Sequence, residues 1–220
     1  MRFKNTQVYG FQAAFRGMRN PLNSWDKSDS ATKIILGRKQ NEERFIIGEN
    51  DLILAQTLIK GGDEHAKFLR QIAVWVDITA PLYFWSEFDT YKIGTTANST
   101  STMHKLGSEE FNKSMFESGC YEPIAFDHLQ DRINVLNFIR KEWLQAKESG
   151  DEEKTKNLFR LMKAELPTSY LQTRTWSANY AAVRNMYFQR RNHRLPEWSK
   201  DFVRWVEGLP YADELIIYEG

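Results

Sequence analysis

An arginine, a lysine and one loop of hydroxyls and amides carry most of the chemistry this chain can offer. Residues 94–102 read Gly-Thr-Thr-Ala-Asn-Ser-Thr-Ser-Thr, so seven of nine side chains bear a hydroxyl or an amide. Groups in that density suit an anion or the edge of a heterocycle, and they equally suit a solvated surface loop. Asn179, Val183, Met186 and Arg190 fall at i, i+4, i+7 and i+11, so a helix here would put all four on one face. An arginine on a stripe with Val and Met needs a partner, either an internal salt bridge or a ligand anion. Lys163 lies four residues before Pro167, in the last turn of its helix. There the helix dipole alone is reason enough for a cation.

Other chemistries lack their signatures. Ser101 with His104 does not make a catalytic triad, and there is no G-x-S-x-G elbow, G-x-G-x-x-G turn or phosphate loop. His65, His104, His128 and His193 show no close metal-ligand spacing, so no metal site is expected. Arg190, Arg191, His193 and Arg194 cluster, yet 30 basic residues against 29 acidic ones leave a net charge of +1. A balanced chain has no field suited to nucleic acid or a membrane surface. The cluster therefore reads as a solvated helix end with one or two functional arginines.

Several elements must position these groups. Residues 71–79 alternate Ile72, Val74, Val76 and Ile78 with Ala73, Trp75 and Asp77, the period of a half-buried strand, and Ala80-Pro81 ends its pairing. Before it, Phe11, Ala14, Phe15 and Met18 have helical spacing. Residues 20–33 read as loop anchored by Trp25, and 34–47 are ambiguous. Asn50 or Asp51 can cap a helix with Leu52, Ala55, Leu58 and Ile59 on its apolar face, stopped by Gly61-Gly62. Residues 107–122 read as loop. Asp127 with Gln130 has capping-box form and opens a helix to about Lys147, with Leu129, Ile133, Leu136, Ile139 and Trp143 inward. Ser149-Gly150-Asp151 turns into a second helix ending near Leu166-Pro167, and the two should pair antiparallel. Thr175-Trp176-Ser177 leads into a helix over 178–192, and Pro196 fits the first turn of a last helix ending near Gly208.

At 220 residues, with seven Trp, nine Tyr and fourteen Phe, one well-filled α/β (α+β) domain over 1–220 is the economical expectation. Cys120 is the single cysteine, which excludes an internal disulfide. No apolar run approaches membrane-spanning length, and Met1-Arg2-Phe3-Lys4 leads into no signal-peptide core. The expectation is a reduced, soluble, cytoplasmic protein.

The order of elements and several local strings resemble the flavin-dependent thymidylate synthases, which methylate dUMP using FAD. In that family a helix ending in a Gly- and His-containing turn leads to a strand, then Ala-Pro or an equivalent, then a signature RHRxxSxNxxSxR. Leu58-Ile59-Lys60-Gly61-Gly62 is similar to the turn and residues 72–81 to the strand, while Asn98 and Ser101 stand at the signature's Asn and second Ser. Lys163-Ala164-Glu165-Leu166-Pro167 is similar to the family's Ala-Arg-x-x-Leu-Pro string, with Lys163 in the place of Arg. Asn179 and Arg190 match an Asn and an Arg eleven residues apart on a late helix.

The departures are as specific. The RHR triplet is absent: Asp89-Thr90-Tyr91-Lys92-Ile93 stands there, with one extra residue before Asn98 and Lys92 as the replacement for one Arg. Ser99 and Met103 replace the signature's Glu and final Arg. Gln71 aligns with a flavin-contacting His, and Glu87 with a Gln. Each lost phosphate-binding arginine costs about 1.5–3 kcal/mol of binding where nothing replaces it.

The resemblance implies an antiparallel sheet flanked by helices. It also implies FAD as cofactor, NADPH and a folate as co-substrates, and a dUMP-like pyrimidine nucleotide as substrate. Arg190 would lie against the pyrimidine and, with Ser101, be catalytic. Gln71, Lys92, Asn98 and Asn179 would serve the flavin; Glu87, Ser99, Ser101, Lys163 and Arg190 would hold the nucleotide. The family builds its site from several subunits of a homotetramer, so a homo-oligomer is implied too. The missing triplet suggests the alternative, a catalytically lapsed member that binds or sequesters nucleotides without flavin chemistry.

Overall fold

The computed structural model describes residues 1–35, 42–121 and 125–220. Residues 36–41 of the ambiguous 34–47 stretch, and Glu122 of the expected 107–122 loop, lie outside the described residues. The elements in chain order are β1 (Arg2–Tyr9), α1 (Phe11–Met18), β2 (Ala31–Ile35), β3 (Glu42–Ile46), α2 (Glu49–Lys60), β4 (Ala73–Pro81) and α3 (Leu82–Phe88). They continue with β5 (Thr96–Ser99), α4 (Phe126–Glu148), α5 (Glu152–Ala164), β6 (Leu171–Asn179), α6 (Tyr180–Arg190) and α7 (Val203–Glu207). The fold is α+β, as expected. Four strands form a sheet in the order β1-β4-β6-β5, and β2 pairs antiparallel with β3 in a separate hairpin.

The chain divides into two compact units. The first holds Met1, Thr79–Thr90 and Asn98–Arg174, and the second holds Arg2–Ile78, Tyr91–Ala97 and Thr175–Gly220. In the second unit Asn5 meets Asp77 and Gly10 meets Gln71 and Ile72, so β1 and β4 run antiparallel. The Asp77–Thr175 bond and the Tyr180 N–H to Ile72 C=O bond set β4 against β6 in the same sense. In the first unit, Thr79 opposite Thr173 and the Leu82 N–H to Tyr170 C=O bond continue that register.

In the second unit, the β4 alternation buries Ile72, Val74, Val76 and Ile78 and leaves Trp75 40% exposed. Each such aliphatic side chain contributes roughly 1.5–3 kcal/mol of burial. Helix α1 buries the four residues its spacing named, Phe11, Ala14, Phe15 and Met18. Helix α2 buries Ala55 and Ile59, while Leu52 and Leu58 are only half-buried. Its N-terminus departs from expectation: neither Asn50 nor Asp51 caps it. The Asp29 carboxylate accepts both the Asn50 and Asp51 N–H groups, satisfying orphan donors from outside the helix. Asp51 instead turns inward, fully buried, and accepts from Arg19 Nε, Ser28 Oγ and the Ser30 N–H. The expected anchor Trp25 is 49% exposed and donates only to Asn20 Oδ1, so the buried Arg19–Asp51 pair does the anchoring.

The first unit is built on the helical hairpin. Leu129, Ile133, Leu136 and Ile139 of α4 pack with Met162 of α5, with Leu106, Phe111 and Phe116 from the preceding segment, and with half-buried Trp143. Ion pairs Lys154–Glu142 and Arg132–Glu165 cross between the helices in antiparallel register. The Asp127 capping box does not form, because the helix begins two residues earlier, with Ala125 as its N-cap, and Asp127 lies inside its first turn. There the carboxylate still suits the dipole.

Four of the described strands were not expected: besides β1 and β6, β2 begins in the 20–33 stretch that reads as loop, and β5 lies within the hydroxyl-rich stretch 94–102. Strand β1 occupies Arg2–Tyr9, and β6 occupies Leu171–Asn179 where the sequence reads as a lead into a helix. The helix after it, α6, therefore starts at Tyr180 and ends at Arg190. The last helix begins after Pro196 with π-type turns over Glu197–Phe202, then passes into α7, with Gly208 as its cap.

Candidate functional site

The expected site residues fall into two groups, one in each compact unit. In the first unit, the loop after β5 is tied to β6. The Thr100 N–H donates to Thr173 C=O, and the Thr100 C=O accepts from Gln172 Nε2. Ser101 then builds a tight turn. Its Oγ accepts the N–H groups of Met103 and His104, and its C=O accepts that of Lys105. The Thr100, Met103, His104 and Lys105 N–H groups are thus already engaged. The loop offers an anion hydroxyl groups and one cation: Lys163, in the last turn of α5, donates from Nζ to Thr102 Oγ1 at 2.8 Å. Lys163 thus meets the hydroxyl-rich loop, a pairing across 61 positions that sequence spacing cannot show. Asn98 and Ser99 are exposed at the end of β5. Glu87 is half-buried on α3, and its C=O accepts from Thr90.

Sequence reasoning missed two residues here. Gln172 and Arg174 lie on the inward face of β6. Gln172 bonds the loop through Nε2 and accepts from Arg174 Nε through Oε1. The Arg174 guanidinium is 14% exposed, lies 4.2 Å over the Trp85 ring and donates to Asp89 Oδ1. The alternation Gln172, Arg174, Trp176, Ala178 against Thr173, Thr175, Ser177 was the available signal.

In the second unit, Arg190 meets two aromatic residues from outside its own helix. Its Nε donates to the Tyr91 hydroxyl at 2.8 Å, and its guanidinium lies 5.4 Å from the Tyr91 ring and 4.9 Å from the Trp198 ring. Tyr91 donates onward to Gln189 Oε1, and its ring meets the buried Trp198 edge-on, while His193 meets Trp198 from another side. Two aromatic rings thus hold a half-buried guanidinium in a fixed attitude, an arrangement suited to a planar anionic or electron-rich ring. Tyr91 and Trp198 are additions that sequence reasoning did not assign to the site.

Asn179 is not on the α6 face with Val183, Met186 and Arg190; it ends β6 and caps α6. Its Oδ1 accepts the Ala182 N–H, and its Nδ2 lies so close to Gly94 that a Cβ there would stand 2.8 Å away. Gln71 ends the 3₁₀ turn Ala66–Gln71, and its amide lies against Gly17 of α1. Lys92 is exposed. Among the described residues no group of His, Cys, Asp and Glu could hold a metal ion, and no helix is long and apolar enough to cross a membrane.

No family model matches the sequence, and no curated protein matches it either. Solved structures do. The chain is similar to a flavin-dependent thymidylate synthase ThyX from Helicobacter pylori complexed with FAD and dUMP. Identity there is 16%, the TM-score is 0.66, and 98% of each chain is covered. A second structure, Thymidylate Synthase X (ThyX) from Helicobacter pylori with FAD and dUMP, covers 100% of both chains at 14% identity and a TM-score of 0.69. Likeness of this kind establishes the fold, end to end.

Proposed function

We propose that this chain is a pyrimidine-nucleotide-binding enzyme of the flavin-dependent thymidylate synthase type, acting on dUMP or a close relative. The observation that carries the reading is the full-length likeness to two structures whose bound molecules are FAD and dUMP. In this reading Lys163 and the Ser99 and Ser101 hydroxyls hold the nucleotide phosphate. Arg190, clamped by Tyr91 and Trp198, faces the pyrimidine and stabilises charge developing on it. Ser101 assists by orienting the nucleotide, and Glu87 contributes to its binding. In the related family the site draws on several subunits. The proposal accordingly includes a homo-oligomer, a tetramer by that resemblance, working in the cytoplasm with the whole chain as one functional domain.

The residues at the flavin positions fit the ring better than its phosphates. Asn179, Asn98 and Gln71 present amides suited to a heterocycle edge, but Lys92 is the one cation among them. When bound, FAD would relay a hydride from NADPH, and a folate would supply the one-carbon unit. The chain's own residues bind, orient and polarise. The expected result is a purified protein that takes up FAD from excess and shows a visible flavin band, followed by methylation of dUMP when NADPH and methylene folate are supplied.

One observation favours a second reading. Asn179 Oδ1 is spent on the α6 cap and residues 89–93 carry no arginine of their own, which suits a lapsed member that binds nucleotides without flavin. Protein that stays colourless in FAD yet binds dUMP by calorimetry would select it, and absence of binding to either compound would sink both.

A further inference from the structure

Away from these residues, the second unit carries a cavity of about 380 Å³ that nothing above uses. It opens on the outer face of the sheet and is lined by Asn5, Gln7 and Tyr9 of β1, Trp75 and Asp77 of β4, and Thr175 of β6. Its volume falls in the range of small-molecule sites. Two features distinguish it from an ordinary solvated sheet face.

The first is its aromatic wall. Tyr9 is 59% exposed and Trp75 40%, and their rings meet edge to face at 6.0 Å, leaving π-surface open to the cavity. The second is its carboxylate. Asp77 Oδ1 accepts from Thr175 Oγ1 at 2.6 Å, and Oδ2 accepts from Asn5 Nδ2 at 2.7 Å. Two strands therefore hold the group in one orientation, and these bonds keep its carboxyl below the ordinary aspartate range. Asn5 reaches it from a left-handed backbone, φ 54°, a conformation asparagine adopts more readily than other side-chain-bearing residues.

Among the described residues the lining contains one acid, two amides, one threonine hydroxyl, two π-faces and Val76, and neither lysine nor arginine is part of it. A phosphate or carboxylate ligand would meet an uncompensated negative charge there. A compact cation would gain from both the carboxylate and the ring faces. We infer that this cavity is a binding site for a small organic cation of the alkylammonium class, held over Trp75 and Tyr9 with Asp77 as counter-charge. The site is independent of the nucleotide reading.

The test is an NMR titration of the full chain with tetramethylammonium, read at the Trp75 indole N–H, which a Trp75→Phe spectrum assigns. The cation should move that resonance saturably. The neutral analogue tert-butanol, of similar shape, should need about fivefold more for the same occupancy. Asp77→Asn keeps the residue's shape and should weaken the cation about fivefold while leaving the alcohol unchanged. Tyr9→Ala, at an exposed position, should weaken the cation as well. A Trp75 signal that the cation does not move, equal response to the alcohol, indifference to Asp77→Asn, or tighter response to glucose than to the cation each overturns the assignment.

Discussion

Arg190 shows how a single residue's neighbours decide its role. On its helix it reads as a cation among apolar residues. In space it is clasped by Tyr91 and Trp198 and hydrogen-bonded through Nε. If it binds the pyrimidine, Arg190→Ala should weaken dUMP by about 1.5–3 kcal/mol, roughly ten- to 150-fold, with the far-ultraviolet spectrum unchanged. Arg190→Lys should recover little, because a point charge does not reproduce the planar fork. The buried pair Arg19–Asp51 makes a different prediction, about stability. Burial raises the Asp51 carboxyl's affinity for protons, but the Ser30, Ser28 and Arg19 hydrogen bonds and the Arg19 charge outweigh it, so its pKa lies below the ordinary value. A depressed folded-state pKa contributes stability that is complete above the unfolded-state value near 3.8 and is lost as pH falls through the folded-state value. Arg19→Ala leaves a buried charge unpaired and should cost about 3–5 kcal/mol in urea unfolding at neutral pH. A cost under about 1 kcal/mol would mean the pair is dispensable.

At the scale of elements, the β6–α6 junction sets the most consequential geometry. Asn179 ends one and caps the other, its amide lies 2.8 Å from where a Cβ on Gly94 would stand, and the Gly94 φ of 71° is one that a side chain tolerates poorly. Gly94→Ala should therefore lose about 1–2 kcal/mol from backbone strain, with a further penalty from the Asn179 contact. In a double-mutant cycle with Asn179→Ala the two costs should sum to more than the double variant loses, since removing the amide relieves the crowding. Strict additivity would show that the contact carries no energy. Strands β1 and β6 were not legible as such. Strand β1 is exposed along most of its length and so lacks the apolar alternation that marks a strand. In β6 the inward positions include Gln172 and Arg174, polar residues that become acceptable inside only through partners on Thr100, Asp89 and Trp85. Binary patterning cannot detect a strand whose buried face is polar and satisfied.

For the whole molecule, the prediction concerns ligands. A nucleotide that binds the folded chain alone should raise its melting temperature with concentration, as mass action requires. dUMP should do so, and deoxycytidine monophosphate less; equal shifts from any phosphate would reduce the site to an anion trap. The sequence alone determined what local chemistry can encode: the core faces of α1, β4 and the α4–α5 hairpin, the absence of recognisable metal or triad motifs, and a resemblance in three short blocks. Those patterns are legible because burial imposes a period of two or 3.6 on neighbouring residues. Only the tertiary structure decided that Lys163 meets Thr102, that Tyr91 and Trp198 clamp Arg190, and that Asp51 lies inside rather than at a cap. Each of these joins residues many positions apart, and such pairings follow from which polar groups find partners on folding, an energy no single stretch of sequence contains.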